Sequence, residues 1–177
     1  MESKQEIIQK YKEELLENIR REMDETGAIS TYIQLIGTKE DVDKPVIIHI
    51  DTAFEDEEDK HFFMSEGIPV ICKKIKEHNI NPICVCFVAE AWMTMFNKEK
   101  QKESKEEVII INMSTQDGDD MIVYNIVRHP YEVDESGDLK SKVELVESDA
   151  VKDNDEKSTT AGRFTNLYQK FIDGLIN

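Results

Sequence analysis

Two short apolar runs constrain the fold of this chain more than any other feature of its sequence. The runs Ile83 to Ala91 and Val108 to Met113 carry apolar residues at nearly every position. A strand that is exposed on one face alternates apolar and polar residues, whereas a strand buried on both faces does not. The two runs therefore predict neighbouring central strands of one sheet, covered by other elements on both sides.

Further strands are predicted around this pair. Apolar and polar residues alternate from Ile29 to Leu35, and a β-branched run follows from Val46 to Ile50, so these two segments are expected to form a hairpin. The turn-forming residues Gln116 to Asp119 predict that Met121 to His129 pairs antiparallel with the strand from Val108. A last hairpin with a charged edge strand is expected between Val133 and Val146.

Three helices complete the predicted elements. Ser3 and Glu6 fit a capping box, Gly27 ends the helix that follows, and a middle helix is expected near Pro69. The acidic run from Glu55 to Asp59 is expected to be solvated, at the start of a helix or in a loop. The two terminal helices carry apolar residues at helical spacing, and core packing is the favoured interpretation of the N-terminal stripe, with an assembly contact as the alternative. The stripes are Ile8, Tyr11, Leu15, Ile19 and Met23, and Phe164, Leu167, Tyr168, Phe171, Ile172 and Leu175.

The order of these elements predicts a single α+β domain over residues 1–177. Its sheet is expected to be mixed or mostly antiparallel, with about five to six strands and with the N-terminal, middle and C-terminal helices packed on it. If the strand from Val46 and the strand from Ile83 form a right-handed crossover, that pair is parallel. The polar stretches 97–106 and 148–160 are predicted to be an exposed excursion and an acidic loop.

Charge limits the partners that this chain can bind. Its 177 residues include 22 Lys and Arg against 38 Asp and Glu, a net charge of −16 at pH 7. This charge repels nucleic-acid phosphates, and no basic cluster offsets it, so direct binding of DNA or RNA is not expected. No apolar run reaches the length of about 18 residues that a membrane-spanning helix needs, so no membrane partner is expected and the predicted location is the cytoplasm.

The cysteines are expected to be reduced thiols in the core. Cys84 and Cys86 lie two residues apart in the first apolar run, and Cys72 falls in the middle helix. Neighbours on the same face of one strand rarely form disulfides, and further Cys or His ligands at short spacing are absent. The sequence therefore predicts no metal and no cofactor at these thiols.

The ends of the two central strands resemble those of a known group of proteins. The first run ends in the triplet Glu90-Ala91-Trp92, and Glu107-Val108 introduces the second strand. With a helix before them, these features make the segment from Val46 to Tyr124 similar to small uncharacterised bacteriophage and bacterial proteins. The resemblance implies a phage or prophage setting, in the host cytoplasm or the virion, and it implies no activity because none is established for the group.

Four polar residues within or at the ends of the apolar strands are candidates for a site: His49, Glu90, Asn112 and His129. A buried carboxylate such as Glu90 needs a partner or a proton, so Glu90 is either a general acid or base or the acceptor of a structural hydrogen bond. His49 shares one face of its strand with Asp51, and a metal could bind there if His129 met them. Glu90, His49 and His129 are therefore the candidate catalytic residues.

Three functions are consistent with these observations. The leading hypothesis is a non-enzymatic interaction or structural protein that contacts other protein subunits through its terminal helices or acidic surface, as a homo-oligomer or within a larger assembly. The second is a small hydrolase or metal-dependent enzyme built around Glu90, His49 and His129. The third is an acidic decoy that occupies a nucleic-acid-binding protein. Motifs for nucleotide binding, acyl transfer and zinc proteases are absent from the sequence, so these three enzyme classes have no support from it.

Overall fold

The fold is known from a computed structural model, which describes residues 2–40, 42–52, 54, 56–97, 102–130, 132–133, 135–140, 142–148 and 164–176. In chain order the elements are α1 (Lys4–Thr26), β1 (Tyr32–Lys39), β2 (Val42–Asp51), α2 (Glu57–Phe62), a π-helical turn (Phe63–Gly67), α3 (Ile68–Glu77), β3 (Asn81–Asn97), β4 (Lys102–Thr115), β5 (Gly118–Arg128), β6 (Glu132–Val133), β7 (Leu139–Lys140), β8 (Val143–Glu147) and α4 (Leu167–Ile176). Within the described residues, no helix is long and apolar enough to cross a membrane.

Six strands form one antiparallel sheet in the order β2, β1, β3, β4, β5 and β8. The predicted α+β arrangement is confirmed, and the two apolar runs form the central strands β3 and β4. The strands predicted from Val46 and from Ile83 are parts of β2 and β3. They run in the same direction but are not neighbours, because β1 lies between them. β1 takes the inner position because it is buried on both faces, whereas β2 is mostly exposed.

One face of the sheet is covered by α1. The capping box predicted at Ser3 and Glu6 is present, and Gly27 ends the helix with the positive φ of 73° that glycine adopts readily. The buried stripe follows a spacing of four residues and packs against alternate residues of β3, including Cys84, Cys86 and Val88. The stripe begins at Ile7 rather than at the predicted Ile8, which is only partly buried. Its members are Ile7, Tyr11, Leu15, Ile19 and Met23. The favoured interpretation of the stripe as core packing is confirmed.

The other face of the sheet is covered by α3 and α4. Cys72 and Ile75 from α3 and Leu167 and Phe171 from α4 are buried against the alternate set of β3 residues, which includes Val85 and Phe87. The apolar stripes of both terminal helices are therefore packed inside the domain. The acidic run begins α2 as expected: the Asp56 carboxylate accepts hydrogen bonds from the amides of Glu58 and Asp59 at 2.8 and 3.0 Å.

The central hairpin extends well beyond the rest of the sheet. β1 last pairs with β3 at Val88, and β5 last pairs with β4 at Val108, but β3 and β4 continue to pair as far as Asn97 and Lys102. We call the two overhanging segments, 91–97 and 102–107, the arm. Its length is about 20 Å, since an antiparallel strand rises about 3.4 Å per residue.

The arm changes the interpretation of the polar stretch 97–106. Residues 102–106 belong to β4 rather than to a loop, although Glu103, Ser104 and Lys105 are exposed as expected. Main-chain pairing with β3 holds this segment extended despite its charged composition. Residues 98–101 lie outside the described residues, as does the predicted acidic loop 148–160 apart from Ser148, which is buried.

Candidate functional site

His49 lies on β2 in a chain of hydrogen bonds that reaches from the core to the surface. The buried Tyr11 hydroxyl donates to Gln34 Oε1, and Gln34 Nε2 lies 2.9 Å from His49 Nδ1. His49 Nε2 lies 2.9 Å from Asp51 Oδ1, and its ring packs against Tyr32 with centroids 4.8 Å apart. An imidazole that accepts from Gln34 and donates to Asp51 satisfies every contact, so this chain of bonds favours the neutral Nε2–H tautomer.

Glu90 is half-buried near the end of α1. Its Oε2 accepts a hydrogen bond of 3.1 Å from the amide of Ile29, and its Oε1 lies 4.0 Å from Arg128 Nη2. These contacts are of the type expected for a carboxylate with a structural role, namely a backbone amide and an arginine.

Arg128 connects the base of the arm to α1. Its guanidinium donates to both carboxylate oxygens of Glu107, at 2.8 and 2.6 Å, and Nη1 donates to the Gly27 carbonyl at 2.7 Å. The hydrogen bonds from Arg128 lower the pKa of Glu107. This cluster joins β4, β5 and the end of α1 at the base of the arm.

His129 follows β5 and contacts the edge strand. Its Nε2 lies 3.0 Å from Glu144 Oε2 on β8, and its amide donates to the Lys142 carbonyl at 2.9 Å. Because side chains alternate along a strand, His129 belongs to the face of α3 and α4, whereas Glu90 and His49 belong to the face of α1.

The structure therefore does not bring the three candidate catalytic residues together. Glu90 and His49 share a face, but β1 lies between their strands and Glu90 is four residues beyond Cys86, which shares the register of His49. Strand spacing and rise place their backbones roughly 16 Å apart. Among the described residues, no group of three or more His, Cys, Asp or Glu side chains could hold a metal ion.

Asn112 is buried and positions the start of α4. Its Nδ2 donates to the Phe164 carbonyl at 2.9 Å and to Asp119 Oδ2 at 3.2 Å, and the same Asp119 oxygen accepts from the amide of Asn166 at 2.7 Å. The cysteines are free and buried, and burial raises the pKa of Cys84 to about 12, so this thiol stays protonated at neutral pH.

A surface cavity of about 880 Å³ lies between the start of α1 and the turn that joins β1 to β2. Its wall includes Ile7, Lys39, Val42, Pro45 and Asn81, and none of the candidate catalytic residues lines it. The cavity is therefore separate from the chemistry that the sequence suggested.

The feature that sequence reasoning missed is Trp92. It is 70% exposed on the arm, directly opposite Glu107, and it follows the Glu90 carboxylate on the same face. Because large apolar side chains are usually buried, an apolar run that ends in Trp indicates the end of a core strand. The signal that could have located the arm is the continued apolar composition of Met93, Met95 and Phe96, which extends the strand past Trp92.

Comparisons with protein-family models, with curated proteins and with solved structures find no match for this chain.

Proposed function

We propose that the protein is a non-enzymatic interaction or structural component that contacts other protein subunits through the arm. The observation that carries this proposal is the exposure of Trp92, 70% of whose surface faces solvent on a ribbon that projects from the sheet. A ribbon that projects beyond its neighbouring strands and presents an exposed aromatic side chain is well suited to bind a partner.

Trp92 has the properties of a binding hot spot. Tryptophan combines a large apolar area with few rotatable bonds, so its burial against a partner releases much free energy at a small entropic cost. The apolar stripes of α1 and α4 are largely packed inside the domain, although Ile176 at the end of α4 is exposed. The arm is therefore a better candidate for the contact surface than either terminal helix.

The surroundings of Glu90, His49 and His129 support a role without catalysis. Each has its own partner, namely the Ile29 amide, the Gln34 and Asp51 side chains, and the Glu144 carboxylate. A catalytic acid or base requires neighbours that share its substrate, and these three side chains are dispersed over two faces of the sheet. The phage setting implied by the Glu90-Ala91-Trp92 triplet belongs to the same proposal, with a virion or host-cytoplasmic assembly as the context.

Affinity capture from the native source tests the proposal with three forms of the full chain: the natural sequence, Trp92→Ala and Phe62→Ala. Phe62 is a matched control because it is an aromatic residue, 67% exposed, on α2. Trp92→Ala should reduce recovery of the partner about tenfold or more, since a hot-spot aromatic contributes about 2 kcal/mol, whereas Phe62→Ala should leave recovery unchanged. Circular dichroism should show the same fold for all three forms.

Two outcomes would contradict the proposal. Equal recovery with Trp92→Ala would remove the arm from the interface. The acidic decoy would be favoured instead if the captured partner is a nucleic-acid-binding protein, if salt abolishes its recovery and if Trp92→Ala leaves its recovery intact.

A further inference from the structure

The two edges of the arm differ in chemistry. The segment of β4 in the arm carries Glu103, Lys105, Glu106 and Glu107, and charged residues of this kind discourage pairing at a strand edge. The segment of β3, residues 91–97, contains no charged residue. An uncharged strand with a free edge is a template for another strand, so only the β3 side of the arm is suited to sheet extension.

The β3 edge is open along the whole of this segment. β1 pairs with β3 no further than Val88, and the Ile29 amide, in the chain before β1, donates a hydrogen bond to the Glu90 side chain. From Ala91 onward, the main-chain groups of β3 on that side have no pairing strand among the described residues. Seven residues offer roughly six main-chain hydrogen bonds to an antiparallel strand.

We propose that the occupant of this edge is the same segment of a second copy of the chain, paired antiparallel about a two-fold axis at Thr94. This inference rests on the proposed function, for which it names the partner. The axis places Thr94 opposite Thr94 of the second copy, Trp92 opposite Phe96 and Met93 opposite Met95.

Charge limits the register in which two copies can pair. Each copy carries a net charge of −16, so most contacts between two copies bring like charges together. Residues 91–97 are uncharged and are centred on Thr94, so a pairing about that residue aligns the whole uncharged segment with itself. The second copy pairs with β3 no further than Ala91, so it does not collide with β1, whose pairing with β3 begins at Val88. The result is a four-stranded ribbon that joins two sheets and places a strand of the second copy beside the exposed Trp92.

Charge-swap variants at Thr94 test the axis directly. Thr94 is exposed, so Thr94→Lys and Thr94→Asp should both fold. In sedimentation velocity, the natural chain should pass from monomer to dimer as concentration rises, and each variant alone should remain monomeric because like charges meet at the axis. An equimolar mixture of the two variants should form the dimer again, because opposite charges then meet. Ser104→Lys and Ser104→Asp, on the charged side of the arm, are the matched controls and should dimerise like the natural chain.

The outcomes separate this inference from the proposed function. A natural chain that stays monomeric at all concentrations, or Thr94 variants that dimerise individually, would overturn the pairing. If a different protein is still captured in a Trp92-dependent way, the arm remains the contact surface and its partner is another chain. If dimerisation fails and capture is independent of Trp92, both proposals are wrong.

Discussion

At the scale of single residues, Arg128 joins the base of the arm to the end of α1. It joins Glu107 on β4 to the Gly27 carbonyl at the end of α1, and the Glu107 side chain is only 17% exposed. A hydrogen-bonded ion pair of this kind is stronger than a solvated one because the two charges are fixed and partly desolvated.

Arg128→Met should lower the free energy of unfolding by about 1–2 kcal/mol at neutral pH, since a bidentate charged contact is lost and Glu107 keeps its charge. Urea unfolding followed by circular dichroism measures the change. Lys12→Met is the control, because Lys12 pairs with an Asp120 side chain that is 62% exposed, and it should change stability by less than about 0.5 kcal/mol.

The same contact predicts a pH dependence. Arg128 holds the pKa of Glu107 below its usual value of 4.5, so the folded state binds this proton less tightly than the unfolded state does. The stabilisation that the contact between Arg128 and Glu107 provides is therefore complete above pH 4.5, the usual pKa of a glutamate, and is lost as pH falls through the lowered pKa of Glu107. The difference in stability between the natural chain and Arg128→Met should be constant near pH 7 and should shrink at acid pH. A difference that grows as pH falls would contradict this assignment.

At the scale of elements, the contact between α3 and α4 depends on one glycine. Gly174 lies where an added Cβ would approach within 2.9 Å of Cys72 Sγ, and Cys72 is buried with its thiol donating to the Phe171 carbonyl at 3.4 Å. Alanine normally stabilises a helix by about 1 kcal/mol relative to glycine. Here the steric cost in a packed interface should outweigh that gain.

Gly174→Ala should therefore destabilise the protein, by about 1 kcal/mol net, in thermal or urea unfolding. A double-mutant cycle with Cys72→Ala checks the cause, since removal of the sulfur atom makes room for the added methyl group. The combined variant should be more stable than the sum of the single effects requires, with a coupling of about 1 kcal/mol. Strict additivity would show that the two residues do not limit the approach of the helices.

The elements themselves were largely predictable, because each burial pattern is local in sequence. The spacing of Tyr11, Leu15 and Ile19 fixes the buried face of α1 without knowledge of its partner, and the apolar run at Ile83 fixes a central strand. The arm could not be predicted from a local pattern, because its second strand has the polar composition of a loop. Residues such as Lys105 are held extended by pairing with β3, where Thr94 lies opposite.

The candidate site was less predictable still. Whether His49, Glu90 and His129 meet depends on strand order and register, which are set by contacts between distant segments. The sequence located Glu90-Ala91-Trp92 as distinctive, but the exposure of Trp92 follows from the length difference between β3 and β1, which composition does not report.

At the scale of the whole molecule, net charge opposes the compact state. Sixteen excess negative charges repel one another more strongly in the folded protein than in the expanded chain. Salt screens this repulsion over a distance of about 10 Å at 0.1 M.

The melting temperature should consequently rise as NaCl is increased from about 10 mM to about 500 mM, because the repulsion weakens more than the few specific ion pairs do. Differential scanning calorimetry measures the change. A melting temperature that falls across this range would mean that pairs such as Arg128 with Glu107 outweigh the general repulsion.

The arm also carries the chain's single tryptophan, which has an optical consequence. The indole of Trp92 is in water in the isolated folded molecule, so its emission maximum should shift little when urea unfolds the chain, although circular dichroism records a cooperative transition. A strongly blue-shifted emission from the dilute native protein would contradict the exposed position. Tryptophan fluorescence is thus a poor denaturation signal for this protein and a selective optical sensor for whatever covers its arm.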